Sequence, residues 1–292
     1  MKVRINHMKT SYVKYMYSTV FLLLSLWSYL LISCQSDKPM ETINFGTERY
    51  DSTALHVALV TNRDCFPIYV AQRTGIYDSL GLKVQIATYP SQMDCDTTLM
   101  GRIADGGWAD KERMALYGSR MGGLEIMWEG TSRWQILVCG ILRIRTVKNL
   151  KERTVAIARS SSENHLLDVA LKGAGLSEDA VYRPQINDLK LRADMLNSDQ
   201  VDAAVVSWPY TALAYANGHF CIYSQRNADA NGCFVMKKKS LKRVDRRTQW
   251  KLLEKGRRMA LDSIRIKGVN AYSLILQKDY HLPKEVADTI RF

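Results

Sequence analysis

Short apolar runs alternating with segments of helical period restrict this chain more than any other feature. Leu55-His56-Val57-Ala58-Leu59-Val60 has the length and continuity of a buried strand. Ile68 to Tyr77 then reads as a helix closed by Gly75, and Leu82-Lys83-Val84-Gln85-Ile86 alternates as a second strand. A helix is expected from Thr97 to Ile103, just after the capping chemistry of Asp94-Cys95-Asp96. Leu124–Trp128 and Ile136–Cys139 are further strands. The rhythm restarts with Thr154–Ala158, the turn Ser160-Ser161-Ser162-Glu163 and a helix over Asn164–Lys172. Val201–Val206 is strand-like again, and Tyr210–Ala216 is a helix stopped by Asn217-Gly218. The end, Gln249–Asp262 and Ala271–Phe292, is expected to be helical with charged outer faces. Strands alternating with helices require sheets covered on both faces. The recurrence of strand, serine turn and helix points to an α/β fold of two lobes, each a mostly parallel sheet flanked by helices. A chain of 292 residues is long enough for both.

The formal net charge of +12 invites a polyanion partner, but the excess is local. Lys2, Arg4, Lys9 and Lys14 open the chain without an acid, and Lys237 to Arg247 holds seven bases against one acid. The remainder is nearly balanced, which argues against nucleic acid as a partner. The basic run reads as a solvated surface or as contact with anionic head groups or a protein. No G-x-x-x-x-G-K-[ST], G-x-G-x-x-G or G-x-S-x-G occurs, so nucleotide hydrolysis and esterase chemistry lack their signatures.

After the four bases comes an uncharged stretch, Tyr15 to Ser33, ending in Leu31-Ile32-Ser33-Cys34. A basic start, an apolar centre and small residues at the end make a secretory signal. Leu-Ile-Ser before Cys34 resembles the lipobox of bacterial lipoproteins, in which the cysteine is lipidated and becomes the first residue. The alternative is an uncleaved membrane anchor, since about 20 apolar residues span a bilayer. On the lipoprotein reading, residues 1–33 are signal and 34–53 a tether. The mature protein is then anchored in the cell envelope, facing the periplasm or the outer surface.

Four stretches, in order, resemble the solute-binding proteins of ABC importers, in the branch for nitrate, taurine, alkanesulfonates and thiamine precursors. Phe66-Pro67-Ile68-Tyr69-Val70-Ala71 with Gly75-Ile76-Tyr77 and Gly81-Leu82-Lys83-Val84 is similar to the opening helix and second strand. Val147-Lys148-Asn149-Leu150-Lys151-Glu152-Arg153-Thr154-Val155-Ala156 resembles the start of the second lobe. Leu196 to Ala204 resembles "l-x-x-G-x-[IV]-D-A", and Trp208-Pro209-Tyr210 resembles "E-P-Y". Two departures fall where that family faces its ligand: Trp208 in place of Glu, and Asp105-Gly106-Gly107-Trp108-Ala109-Asp110 in place of "G-x-[IV]-D". The resemblance implies the two-lobed type II periplasmic-binding-protein fold with two crossovers and a ligand in the cleft. Lobe one would span 54–145 and 227–292, and lobe two 146–226.

Ligands of open α/β sheets bind beyond the carboxyl ends of strands. That selects Asn62, Asp64, Met93, Asp94, Ser160, Ser161, Ser162 and Trp208, with Trp108 as a further ring for the pocket. The serines either hold an anion at the start of a helix or act as ordinary caps. Asp64 either meets a ligand N–H or caps the helix from Phe66. Trp208 is the leading stacking surface, because Pro209 ends the strand behind it. Cys65 with Cys95, and Cys221 with Cys233, are candidate disulfides in an oxidising compartment, and the first pair is also a candidate grip for a soft metal. The scattered histidines give no zinc spacing. The reading is therefore a monomeric, lipid-anchored binder of a small polar or heterocyclic molecule, passing it to an ABC permease without catalysis, cofactor or metal. The alternatives are an enzyme of the same fold acting on a small cyclic metabolite, and a lipoprotein that uses the fold only for protein contact.

Overall fold

The computed structural model describes residues 44–121, 123–225 and 231–291. The expected signal segment and Cys34 lie outside them. Strands β1 (Asn44–Phe45) and β2 (Glu48–Arg49) form a small antiparallel ribbon. Phe45 is buried with Ala58, Ala87 and Cys95, so this part of the expected tether belongs to the folded body.

The apolar run forms β3 (Leu55–Val60), followed by α1 (Phe66–Arg73) and α2 (Ile76–Ser79). Pro67 suits the first turn of α1, where a missing N–H costs nothing. Gly75, at φ 74°, breaks what the pattern read as one helix into two. Next come β4 (Val84–Tyr89), α3 (Gln92–Met100), β5 (Gly106–Asp110), α4 (Lys111–Tyr117) and β6 (Leu124–Glu129). The chain then enters a second sheet through β7 (Trp134–Val138), β8 (Val155–Ala156), α5 (Ser162–Gly173) and α6 (Leu189–Asn197). That lobe is completed by β9 (Ala203–Ser207), α7 (Tyr210–Ala216) and β10 (Phe220–Ser224). The chain returns as β11 (Gly232–Lys237), α8 (Lys238–Leu241), α9 (Val244–Lys267), α10 (Ser273–Lys278) and α11 (Lys284–Ala287).

The first sheet has the order β4-β3-β5-β11-β6 and the second β10-β7-β9-β8. The two-lobed α/β architecture is present, with mixed sheets. β3 is parallel to β4 and β5, and β8 to β9, whereas β11 and β7 are antiparallel to their neighbours. The run at Ile136–Cys139 lies in the second sheet, so the first crossover is at residues 130–133 and not near 145. α3 starts earlier than expected because Ser91 caps it, its Oγ accepting from the Asp94 N–H at 3.2 Å.

Two further expectations fail on burial. No disulfide joins the five described cysteines. The Cys95 thiol donates to the Trp108 carbonyl, Cys65 packs in a different core cluster, and Cys221 and Cys233 sit in different sheets. Nor is the basic run wholly solvated, because Lys237 and Arg246 are buried. Lys237 Nζ donates to the Gly101 carbonyl at 2.5 Å, and burial pulls its pKa down to about 8.

Arg246 anchors α9 to the first sheet. Its Nε lies 3.2 Å from Asp105 Oδ2, and its terminal nitrogens donate to the carbonyls of Ser52 and Thr53 and to Gln249 Oε1. Asp105 also accepts from the His56 N–H and from Ser240 Oγ. Burial works to raise the Asp105 pKa, yet these hydrogen bonds and the Arg246 charge outweigh it and hold the carboxyl below its usual value. Removing one partner of such a pair strands the other in the interior. Arg246→Ala is expected to lower the unfolding free energy by about 3–5 kcal/mol in urea titration; a loss below about 1 kcal/mol would show that the pair contributes little.

Candidate functional site

The carboxyl ends of β3, β4 and β5 face those of β8 and β9 across a cleft that encloses a cavity of about 60 Å³. This is room for a few water-sized groups. The first lobe contributes Thr61, Asn62, Gln92, Trp108 and Asp110 to the wall, and the second Trp134, Ser161, Glu163, Asn187, Arg192 and Ser207. A mostly apolar volume with a few converging polar groups is the usual form of a small-molecule site.

Each group is placed by its neighbours. Asn62 Oδ1 accepts from the Cys65 N–H at 2.8 Å, turning the chain into α1 and leaving its amide nitrogen as the donor for the cavity. Thr61 Oγ1 meets the Tyr210 hydroxyl at 2.7 Å, and that hydroxyl donates to the Tyr280 carbonyl, so the second lobe and the C-terminal segment both lean on the end of β3. Gln92 Nε2 donates to Asp96 and to the Trp108 carbonyl. The Trp108 indole lies over Gly130 and Gly232, where an added Cβ would stand 2.5 Å from the ring. Both glycines are therefore required for close approach. They sit at the two crossovers, where the Gly130 N–H donates to the Gly232 carbonyl.

Two carboxylates in the wall differ sharply. Glu163 is paired with Arg192, which also donates to the carbonyls of Ile186 and Val205. Burial raises the Glu163 pKa against the pull of this guanidinium. Asp110, 6% exposed, caps α4 by accepting from the Arg113 N–H at 3.0 Å. Its carboxylate also reaches across the cleft to the Ser162 N–H, 3.1 Å from Oδ2 and 3.3 Å from Oδ1, in the first turn of α5. The Arg113 guanidinium is engaged by Asp96, not by Asp110. Burial without a cation pushes the Asp110 pKa up to about 6, although the backbone hydrogen bonds pull it down.

Of the residues expected from sequence, Asn62, Trp108 and Ser161 line the cavity. Ser161 caps α5, and Ser162 donates its Oγ to the Asn231 carbonyl rather than to the cavity. Ser160, at φ 54°, makes the turn before the helix and is not in the wall. Asp64 is turned away from the cleft, holding the first crossover through Thr131 and the Ser132 N–H. Met93 is at the rim, its sulfur 3.7 Å from Asn187 Nδ2, and Asp94 is spent on Ser91. Trp208 is a correction: its Nε1 donates to the Arg291 carbonyl and its ring packs on Phe66 and Tyr280, outside the cavity. The pattern missed Gln92, Asp110, Trp134, Glu163, Asn187 and Arg192. Three of these carried a signal: Gln92 shares the loop after the second strand with Met93, Trp134 is an aromatic at a strand end that reads first as core, and Asp110 ends the segment that departs from the family pattern.

Among the described residues no group of histidine, cysteine or acidic side chains is arranged to hold a metal, and no helix is long and apolar enough to cross a membrane. A family model described as NMT1/THI5 like matches residues 62–219. No curated protein sequence matches the chain. Similar solved structures include the alkanesulfonate-binding protein SsuA from Xanthomonas axonopodis pv. citri bound to MOPS. It has 19% identity and a TM-score of 0.66 over 82% of this chain and 83% of that one. The SsuA protein of Escherichia coli, described as a periplasmic aliphatic sulphonate binding protein, has 17% identity and a TM-score of 0.62 over 80% of each chain. The periplasmic nitrate-binding protein NrtA from Synechocystis PCC 6803 has 12% identity and a TM-score of 0.65, over 80% of this chain and 68% of that one. At these identities the likeness is one of fold.

The raised Asp110 pKa has a definite sign. Between about pH 4 and pH 6 the folded state keeps a proton that the unfolded chain has lost, so this group's contribution to stability falls as pH rises through that window. Asp110→Asn removes the titration and keeps an acceptor for both N–H groups. The variant's melting temperature is expected to gain on wild type from pH 4 to pH 7, by no more than about 3 kcal/mol in free energy. A difference that stays constant with pH would show that Asp110 is not the titrating group.

Proposed function

Because the chain belongs to the NMT1/THI5-like family, we propose that it is a solute-binding protein that captures a small polar or heterocyclic molecule for an ABC importer. One observation carries this reading. The cavity at the carboxyl ends of both sheets takes its wall from both lobes, so a molecule bound there touches both at once. Such a molecule shifts the balance between separated and apposed lobes by its better fit to the apposed form, and a permease reads the result. Hydrogen-bond donors and acceptors on Asn62, Gln92, Asn187 and Ser207, with the rings of Trp108 and Trp134, suit recognition without bond making. Alkanesulfonate and nitrate binding by proteins of similar fold supports the same role. Cys34 completes the reading as a lipid anchor that holds a monomer at the envelope, with residues 1–33 removed as signal.

Mass spectrometry of gently purified protein, before and after denaturation, is expected to release a bound small molecule. Returned at 100 times its dissociation constant, that molecule should stabilise the fold by ~2.7 kcal/mol. Trp134→Phe should weaken its binding several-fold while leaving the unliganded melting temperature near wild type, because the smaller ring keeps the packing on the second lobe's core and gives up part of the cavity wall. Conversion of the molecule to a new product by wild type would favour the enzyme instead. Anchoring is tested separately: Cys34→Ala should abolish incorporation of labelled palmitate, and a variant that is still labelled overturns the lipoprotein assignment.

A further inference from the structure

We propose that Asp110 sets the charge of the ligand: its carboxylate, reaching from the first lobe, fills the N-terminal end of α5 in the second, bars oxyanions from the cleft and reserves it for neutral or cationic molecules. The inference rests on the reading of this cavity as the solute site.

The end of a helix of this length carries a partial positive charge and N–H groups without intrahelical partners, the ordinary seat of an anion. Here the seat is taken. The Ser162 N–H is bound by both Asp110 oxygens, and the Asn164 N–H by Ser161 Oγ, which itself donates to the Ala158 carbonyl. Ser162 Oγ is committed to the Asn231 carbonyl. A second anion in the cavity would lie within a few ångströms of Asp110 in a site shielded from water. At pH 9, well above the Asp110 pKa of about 6, such a pair costs on the order of a thousandfold in affinity at an effective dielectric of about 20, whereas at pH 7 uptake of a proton by Asp110 holds the cost to about tenfold.

No cation in the wall offsets this. Arg192 is the only basic residue lining the cavity among the described residues, and it is 1% exposed and bound to Glu163 and two carbonyls. Nearby, Arg113 is paired with Asp96 and Lys111 with Glu129. The charged wall residues, Asp110, Glu163 and Arg192, therefore leave a net negative site. The rings of Trp108 and Trp134 add negative faces, which attract cations or stack on neutral planar groups.

The test is calorimetric titration of the full chain at pH 9, where Asp110 is ionised, with methanesulfonate, nitrate and inorganic sulfate, in wild type, Asp110→Ser and Asp110→Ala. Serine can still cap α4 while vacating the end of α5. Wild type should bind none of the three at about 10 mM, whereas the variants should gain binding of at least one by roughly a hundredfold or more. Wild-type binding of any of them below about 1 mM overturns the proposal, as do variants with native circular dichroism that gain none. Should neither variant fold, the wild-type titration and the released molecule decide: a molecule anionic at pH 7 overturns the proposal, and a neutral or cationic one with no oxyanion binding upholds it. A protein that carries no small molecule at all defeats the solute-binding reading and leaves the titrations standing as a test of Asp110.

Discussion

The first lobe is organised around two carboxylates taken out of water at opposite ends of one short strand. Asp105 precedes β5 and Asp110 ends it. At the far end from the cleft, Asp105 meets Arg246, the His56 N–H and Ser240, and its pKa falls. At the cleft, Asp110 meets backbone N–H groups but no cation, and its pKa rises to about 6. The same residue type, about 16 Å apart along a strand of this length, thus does opposite work. One end locks α9 and the ribbon before β3 onto the sheet. The other keeps a poorly compensated charge where a bound molecule can answer it. Full compensation belongs where rigidity is needed, and partial compensation where binding must supply the difference.

The crossovers explain why the cleft wall is well placed although loops carry much of it. Asp64 holds Thr131 and Ser132, Asn231 Nδ2 donates to the Ser132 carbonyl, and Gly130 bonds Gly232. Both connections between lobes are therefore tied to each other and to the start of α1. Trp108 rests directly on this junction, with Trp128 beside it at 5.3 Å between ring centroids. Movement of one lobe against the other must pass through residues that also position the Trp108 ring. Ligand contact and lobe geometry are in this way coupled by packing rather than by distance-spanning charge.

Much of this architecture could be read from the sequence. Apolar runs at Leu55–Val60, interrupted only by His56, and at Ala203–Val206 mark inner strands because both faces of each are covered. β5 and β11 were harder. Gly106-Gly107-Trp108 has little strand propensity, and its glycines are demanded by contacts with Ala58 and Val235 that only the folded sheet reveals. The disulfide and solvated-run expectations failed because composition says nothing about which core a thiol enters or whether an arginine finds carbonyls. In the site, Asn62 and Ser161 were legible from their place after strands, and Trp108 as a ring in the segment that departs from the family pattern. Glu163, Asn187 and Arg192 were not, because the buried pair brings together residues 29 positions apart in the sequence. Trp208 was misread for a related reason: its fate is set by Tyr280 and Arg291, far along the chain.

Around the cavity the apposed lobes share few direct polar contacts, and others join them beyond it, from Tyr210 to Thr61 and the Tyr280 carbonyl and from Trp208 to the Arg291 carbonyl. Ser162 bonds Asp110 and Asn231, Arg113 reaches the Arg159 carbonyl at 3.4 Å, and the Leu189 N–H reaches the Pro90 carbonyl at 3.4 Å. Separation exposes each of these groups to water, which replaces them at small net cost. On the solute-binding reading proposed above, a ligand decides between separated and apposed lobes by a differential affinity that outweighs these contacts. Asp110 makes that difference chemical. In this form its charge is buried with donors from Arg113 and Ser162 but no cation, so ionisation carries a desolvation penalty. A ligand that donates a hydrogen bond to it, or brings a positive charge near it, removes the penalty at the moment the cleft closes. On the proposed reading, the group left without a cation in the empty cleft is then the one through which a suitable molecule favours closure.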